Sequence, residues 1–116
     1  VYGLGADALN TRALDQLYRL KGRPRQHPVI VHMAHTNAMH AWVSAWPEAA
    51  QTLAETFWPG PLTLILPKSD LVLDDITGGF PGVGLRIPRH PVALRLLDAF
   101  QGGIAAPSAN RYGQLS

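Results

Sequence analysis

Apolar positions recur along this chain with two periods, and the switches between them mark out its elements. Ala13, Leu14, Leu17 and Tyr18 repeat at the spacing of one helix face. Asn10 or Thr11 can cap the start of that helix, Asp15 stands one turn before Arg19, and Gly22 stops it. The apolar, β-branched run at 29–33 predicts a short buried strand. Helical spacing returns at roughly 36–45, capped by Thr36. It returns again at 47–57, opened by Pro47, with Ala50, Leu53, Ala54 and Phe57 on one stripe. Pro59-Gly60-Pro61 forces a turn, and residues 62–66 and 83–87 read as strands around a loop holding Gly78, Gly79, Pro81 and Gly82. Pro91 opens a last helix whose Val92, Leu96, Leu97 and Phe100 are expected to face inward. Gly102-Gly103 ends it before a final strand at 104–106.

Helices alternating with short apolar strands predict an α/β fold with helices packed on a sheet. The two strands set close together around 62–87 make that sheet mixed, parallel and antiparallel. There is no internal repeat and no linker, so residues 1–116 read as one domain. Both ends look cut: Val1 is no initiator methionine, and VYGLGADA reads as the end of a strand turning into a loop.

Composition narrows the functional classes. Hydrophobic residues make up 47% of the chain and charged ones 16%, the balance of a compact globule rather than a disordered segment. No cysteine is present, which excludes disulfides and thiolate metal sites and fits a cytoplasmic location. The net charge is only +2 and the cations are dispersed, apart from a knot at Lys21, Arg23 and Arg25. A duplex-binding face needs several cations in a row. This pattern predicts a pocket instead.

Two polar clusters interrupt the apolar pattern. Lys21-Gly22-Arg23-Pro24 leads through Pro28 into the strand-like run Val29-Ile30-Val31-His32, and Ala105-Ala106-Pro107-Ser108-Ala109-Asn110 follows Ile104 directly. An ammonium beside a planar guanidinium suits polyphosphate oxygens, and a hydroxyl with a carboxamide can complete such a site without adding charge. Each has a plain alternative, a solvated basic loop for the first and a turn or helix cap for the second. Arg86 lies among apolar strand neighbours, so it must be paired, with Asp74 or Asp75 as the candidate partners, or must face a cavity. His32 ends a strand, where a satisfied core histidine is the default. His32, His35 and His40 lack a helical pair's spacing and have no companion carboxylate, so no metal site is expected. Gly3 and Gly5 do not form a Walker pattern. No Ser-His-Asp triad or other nucleophile with its base stands out, and no catalytic side chain is assigned.

VYGLGADA at 1–8, KGRP…PVIVH at 21–32, WPGPLTLIL at 58–66, VGLRIPRHP at 83–91 and AAPSANRYGQLS at 105–116 form an ordered series. That series resembles the YrdC-like domain of L-threonylcarbamoyladenylate synthases. The resemblance implies an open concave cavity on the α/β fold, lacking the family's N-terminal strand and Pro-Thr-Asp/Glu-Thr element. It implies that ATP, L-threonine and bicarbonate are joined with release of pyrophosphate. Magnesium is expected on the nucleotide phosphates, and downstream tRNA-modification proteins are expected to use the product. Lys21 and Arg23 are the K-x-R pair on the ATP side by this resemblance, with His27, Ser108, Asn110 and Ser116 nearby. His32, Arg86 and Ala106 fall on the L-threonine side. Tyr112 stands where the family more often has serine. Two alternatives stay open: a double-stranded RNA or tRNA-binding module without catalysis, and a related carbamoyl-transfer domain.

Overall fold

A computed structural model of the chain describes residues 3–24, 26–110 and 112–114. Among the described residues five strands form one sheet: β1 (Ala6–Asp7), β2 (Val31–His32), β3 (Leu64–Pro67), β4 (Gly82–Arg86) and β5 (Ile104–Ala105). Their order across the sheet is β1-β5-β2-β4-β3. Only β2 and β4 run parallel; the other three neighbouring pairs are antiparallel. The mixed sheet expected from the sequence is therefore present.

Strand register divides the sheet into two unlike faces. Leu64 and Val31 pair with Leu85, Leu66 with Val83, and Val31 also with Ala105. All six of these side chains are buried. Helix α1 (Thr11–Lys21) adds its buried Leu14, Leu17 and Tyr18 to this core. Each aliphatic side chain buried in this way contributes about 1.5–3 kcal/mol. The intervening positions fall on the opposite face, where His32 pairs with Arg86 and Ile104, and Ile65 with Gly84. There Ile65 is 74% exposed. That open face carries the site.

Local signals explain the ends of the first and last helices. Asn10 caps α1 through a hydrogen bond from the Ala13 amide, and Gly22 closes it at φ 65°. Helix α5 (Pro91–Phe100) starts with proline in its first turn and with His90 Nδ1 accepting from the Val92 amide. It ends at Gln101, in the left-handed region at φ 59°, one residue before the expected glycines.

Several expectations need correction. The helix expected at 36–45 is a short α2 (Thr36–Met39) running into a 3-10 turn (His40–Trp42), and Thr36 is its first residue rather than its cap. Helix α3 (Glu48–Phe57) buries Ala50 and Ala54 but leaves Leu53 and Phe57 exposed. In α5 only Leu97 of the four expected residues is buried; Val92, Leu96 and Phe100 are exposed. An apolar stripe shows which face can be buried, but packing covers only the part that meets a partner. The short α4 (Asp74–Thr77) lies in a segment read as a loop, and β1 falls where VYGLGADA was expected to be leaving a strand for a loop. Among the described residues no helix is long and apolar enough to cross a membrane.

Candidate functional site

A cavity of about 490 Å³ opens on the uncovered sheet face. His32 and Arg86 come from parallel neighbours β2 and β4 at the same register. Ala106 and Ser108 follow β5 along one side, and Ala93, Leu96 and Leu97 of α5 line the apolar wall. Gly3 and Gly5 also line it, while a backbone bridge joins Gly3 to Ser108 and the Leu4 amide donates to Pro107 O at 3.0 Å.

Arg86 is half-buried, and its Nε donates to Gly60 O at 2.9 Å. No carboxylate pairs with it among the described residues; Asp74 instead lies 3.8 Å from Lys68 Nζ. The Pro59-Gly60-Pro61 turn thus aims the guanidinium. The turn is itself held by the Gly60 amide, which donates to Ile87 O at 2.9 Å. A Cβ at residue 60 would lie 2.4 Å from Phe57 O, so glycine is required there. The sequence marks this block as a turn but not Gly60 as the group that aims Arg86; a proline-flanked glycine upstream of the arginine strand was the available signal.

His32 Nδ1 is buried without a hydrogen-bond partner among the described residues. Burial pushes the imidazole pKa below its ordinary 6.5, and the Arg86 charge pushes it the same way, against the carbonyls of Ile104 and Ile30. The result is a neutral imidazole beside a cation, with one ring nitrogen unsatisfied. An orphaned buried polar atom costs about 1–3 kcal/mol, which a ligand can recover.

The other predicted residues gather next to this cavity rather than along its lining. Lys21 is 2% exposed, and its Nζ donates to Ser108 O at 2.7 Å and to Asn110 O. Burial lowers its pKa from 10.5, and the nearby Arg23 charge adds to that shift. Arg23 donates through Nη2 to Pro28 O at 2.7 Å and through Nε to His27 O at 3.4 Å. Ser108 Oγ donates to Asn110 Oδ1, and Asn110 Nδ2 donates to Gln114 O. His32, Arg86, Ala106 and Ser108 therefore share the cavity, while Lys21, Arg23, His27 and Asn110 form an adjoining polar shelf. The two polar clusters of the sequence meet through the Lys21 ammonium. Ser116, and Arg25 of the basic knot, lie outside the described residues.

Known proteins resemble this chain over its whole length. The threonylcarbamoyl-AMP synthases of Pyrococcus abyssi and Bacillus subtilis are 47% and 48% identical to the chain over 116 and 117 residues. Both alignments cover 100% of this chain and 34% of the relative, so the chain spans about a third of the length of these relatives. A crystal structure of P. abyssi Sua5 complexed with L-threonine superposes with a TM-score of 0.97 at 47% identity, again over 100% of this chain and 34% of that one. The pattern of the Sua5/YciO/YrdC family, described as "Telomere recombination", matches residues 1–116. This chain belongs to the Sua5/YciO/YrdC family.

Proposed function

We propose that this chain builds the substrate cavity of an L-threonylcarbamoyladenylate synthase. In that reaction L-threonine, bicarbonate and ATP give threonylcarbamoyl-adenylate, pyrophosphate and water, and the product serves threonylcarbamoyl modification of adenosine in tRNA. The carrying observation is the His32–Arg86 pair, where a cation without a carboxylate partner among the described residues flanks a buried imidazole with an orphaned nitrogen. The complex of the 47% identical P. abyssi protein with L-threonine supports the same reading.

Arg86 receives the threonine carboxylate, for which a guanidinium offers paired donors. His32 satisfies its buried nitrogen against the same substrate, beside the Ala106 backbone. The threonine amine adds to carbon dioxide derived from bicarbonate and loses a proton, giving a carbamate. A carbamate oxygen then attacks the α-phosphorus, the bond to the bridging oxygen breaks, and pyrophosphate leaves. Arg23, His27, Ser108 and Asn110 face the nucleotide, with Lys21 holding the latter two in place. Catalysis on this reading is positioning and electrostatics rather than a nucleophilic side chain. Among the described residues no group of acidic and imidazole side chains could hold a metal, so magnesium would arrive on the nucleotide phosphates and neutralise their charge.

The test is pyrophosphate release with and without L-threonine, in the presence of ATP, bicarbonate and magnesium. Release that depends on both threonine and bicarbonate is the expected result. RNA affinity with a steep salt dependence and no pyrophosphate release would replace this reading with the RNA-binding one.

A further inference from the structure

Tyr112 lines no part of the cavity, yet it ties together the two loops that the polar clusters build. Its amide donates to Lys21 O at 2.7 Å. Its hydroxyl lies 2.7 Å from His27 Nδ1, and the two rings meet edge to face with centroids 5.1 Å apart. The Arg23 guanidinium lies over the same phenol ring, 5.7 Å from its centroid. One exposed tyrosine thus touches both members of the 23–27 loop that bear cationic or imidazole groups and are described here.

Each contact removes a freedom that an anion site cannot leave open. The phenol hydroxyl against Nδ1 fixes the orientation of the imidazole ring, whichever of the two atoms donates. Arg23 is already held at two nitrogens by the carbonyls of Pro28 and His27. The Tyr112 ring then sets the plane of the guanidinium through cation–π attraction. The backbone of the same loop is anchored by the His27 amide, which donates to Pro24 O at 3.1 Å, and by the Tyr18 hydroxyl, which donates to Asp75 O at 2.6 Å with His27 O 3.3 Å away.

We propose that Tyr112 is a positioning residue of the nucleotide side, holding Arg23 and His27 in the orientation that receives the polyphosphate. This rests on the reading that the 21–27 loop binds ATP. Tyr112 acts through its two partners and makes no contact with the ligand itself.

The experiment measures ATP–magnesium and L-threonine affinity by calorimetry in the full chain, for the native protein, Tyr112→Phe, Tyr112→Leu, His27→Ala and Tyr112→Phe/His27→Ala. Tyr112→Phe keeps the ring over Arg23 and removes one neutral hydrogen bond, so ATP affinity is expected to fall about fivefold. Tyr112→Leu also loses the ring and is expected to fall about threefold further. In the His27→Ala background, Tyr112→Phe should have no additional effect, which a general loosening of the loop would not produce. Threonine affinity should not move. A native protein that binds ATP, with Tyr112→Phe binding equally well, overturns the proposal and leaves the function standing. Equal loss of both ligands overturns it in favour of a purely structural tyrosine. A native chain that binds no ATP removes the nucleotide reading and this proposal with it.

Discussion

His32 carries its charge preference into the stability of the fold. The folded state resists protonating it, while the unfolded chain takes up that proton near pH 6.5. Between the lowered folded pKa and 6.5 the unfolded state therefore binds more protons. Stability from this group is complete above about pH 6.5 and declines as the pH falls below it. Melting scans across that range should show His32→Phe losing part of the acid-side decline; parallel curves would refute the burial argument. Arg86 makes the complementary prediction. Arg86→Lys keeps the charge but loses the fork, so it should raise the threonine requirement and spare ATP affinity. Arg86→Leu should abolish threonine dependence while the protein stays folded, since it gives up one hydrogen bond to Gly60 worth about 1.5–3 kcal/mol. An unfolded Arg86→Leu protein would make this arginine a structural strut. Arg86 was legible because a polar side chain among apolar strand neighbours must have a destination, whereas His32, whose default reading was a core histidine, was placed on the substrate side only by the resemblance. The placement of Lys21 was not legible. Its ammonium is met by backbone carbonyls 87 and 89 residues away, and no local pattern reports such a contact.

Helices and turns were easier to locate than to orient. The caps at Asn10 and Gly22 could be read because capping is local chemistry, and Asn10→Ala should cost about 1 kcal/mol in chemical denaturation. Orientation depends on what each helix meets, which is why α5 shows solvent most of the face expected to be inside. The elements β1 and α4 are two and four residues long, too short for any period to register. The 59–61 turn offers a sharper test. Gly60→Ala drives a methyl against Phe57 O, so the turn must shift and carry the carbonyl that aims Arg86 with it. The expected outcome is a stability loss of about 1–3 kcal/mol together with a raised KM for threonine. A loss of stability with threonine kinetics intact would show that Arg86 is aimed by something else.

Over the whole molecule, the Lys21 ammonium works as a rivet between α1 and the loop after β5. Lys21→Met should therefore speed hydrogen exchange at the Tyr112 and Leu4 amides, which bond to Lys21 O and Pro107 O, and leave the β3–β4 amides unchanged. Uniform acceleration would mean a global loss of stability instead. The register of β2 against β4 has a wider consequence. Val31 and Leu85 face the core, and the very next residues, His32 and Arg86, face the cavity. A slip of one residue would bury the charges and expose the aliphatics together, so pressure for a stable interior also guards the reading frame of the site. Within that frame the cavity-facing positions can be exchanged one at a time without disturbing the packed side. A sheet of this kind can acquire new specificities by rewriting one of its two interleaved texts while the other keeps the protein folded.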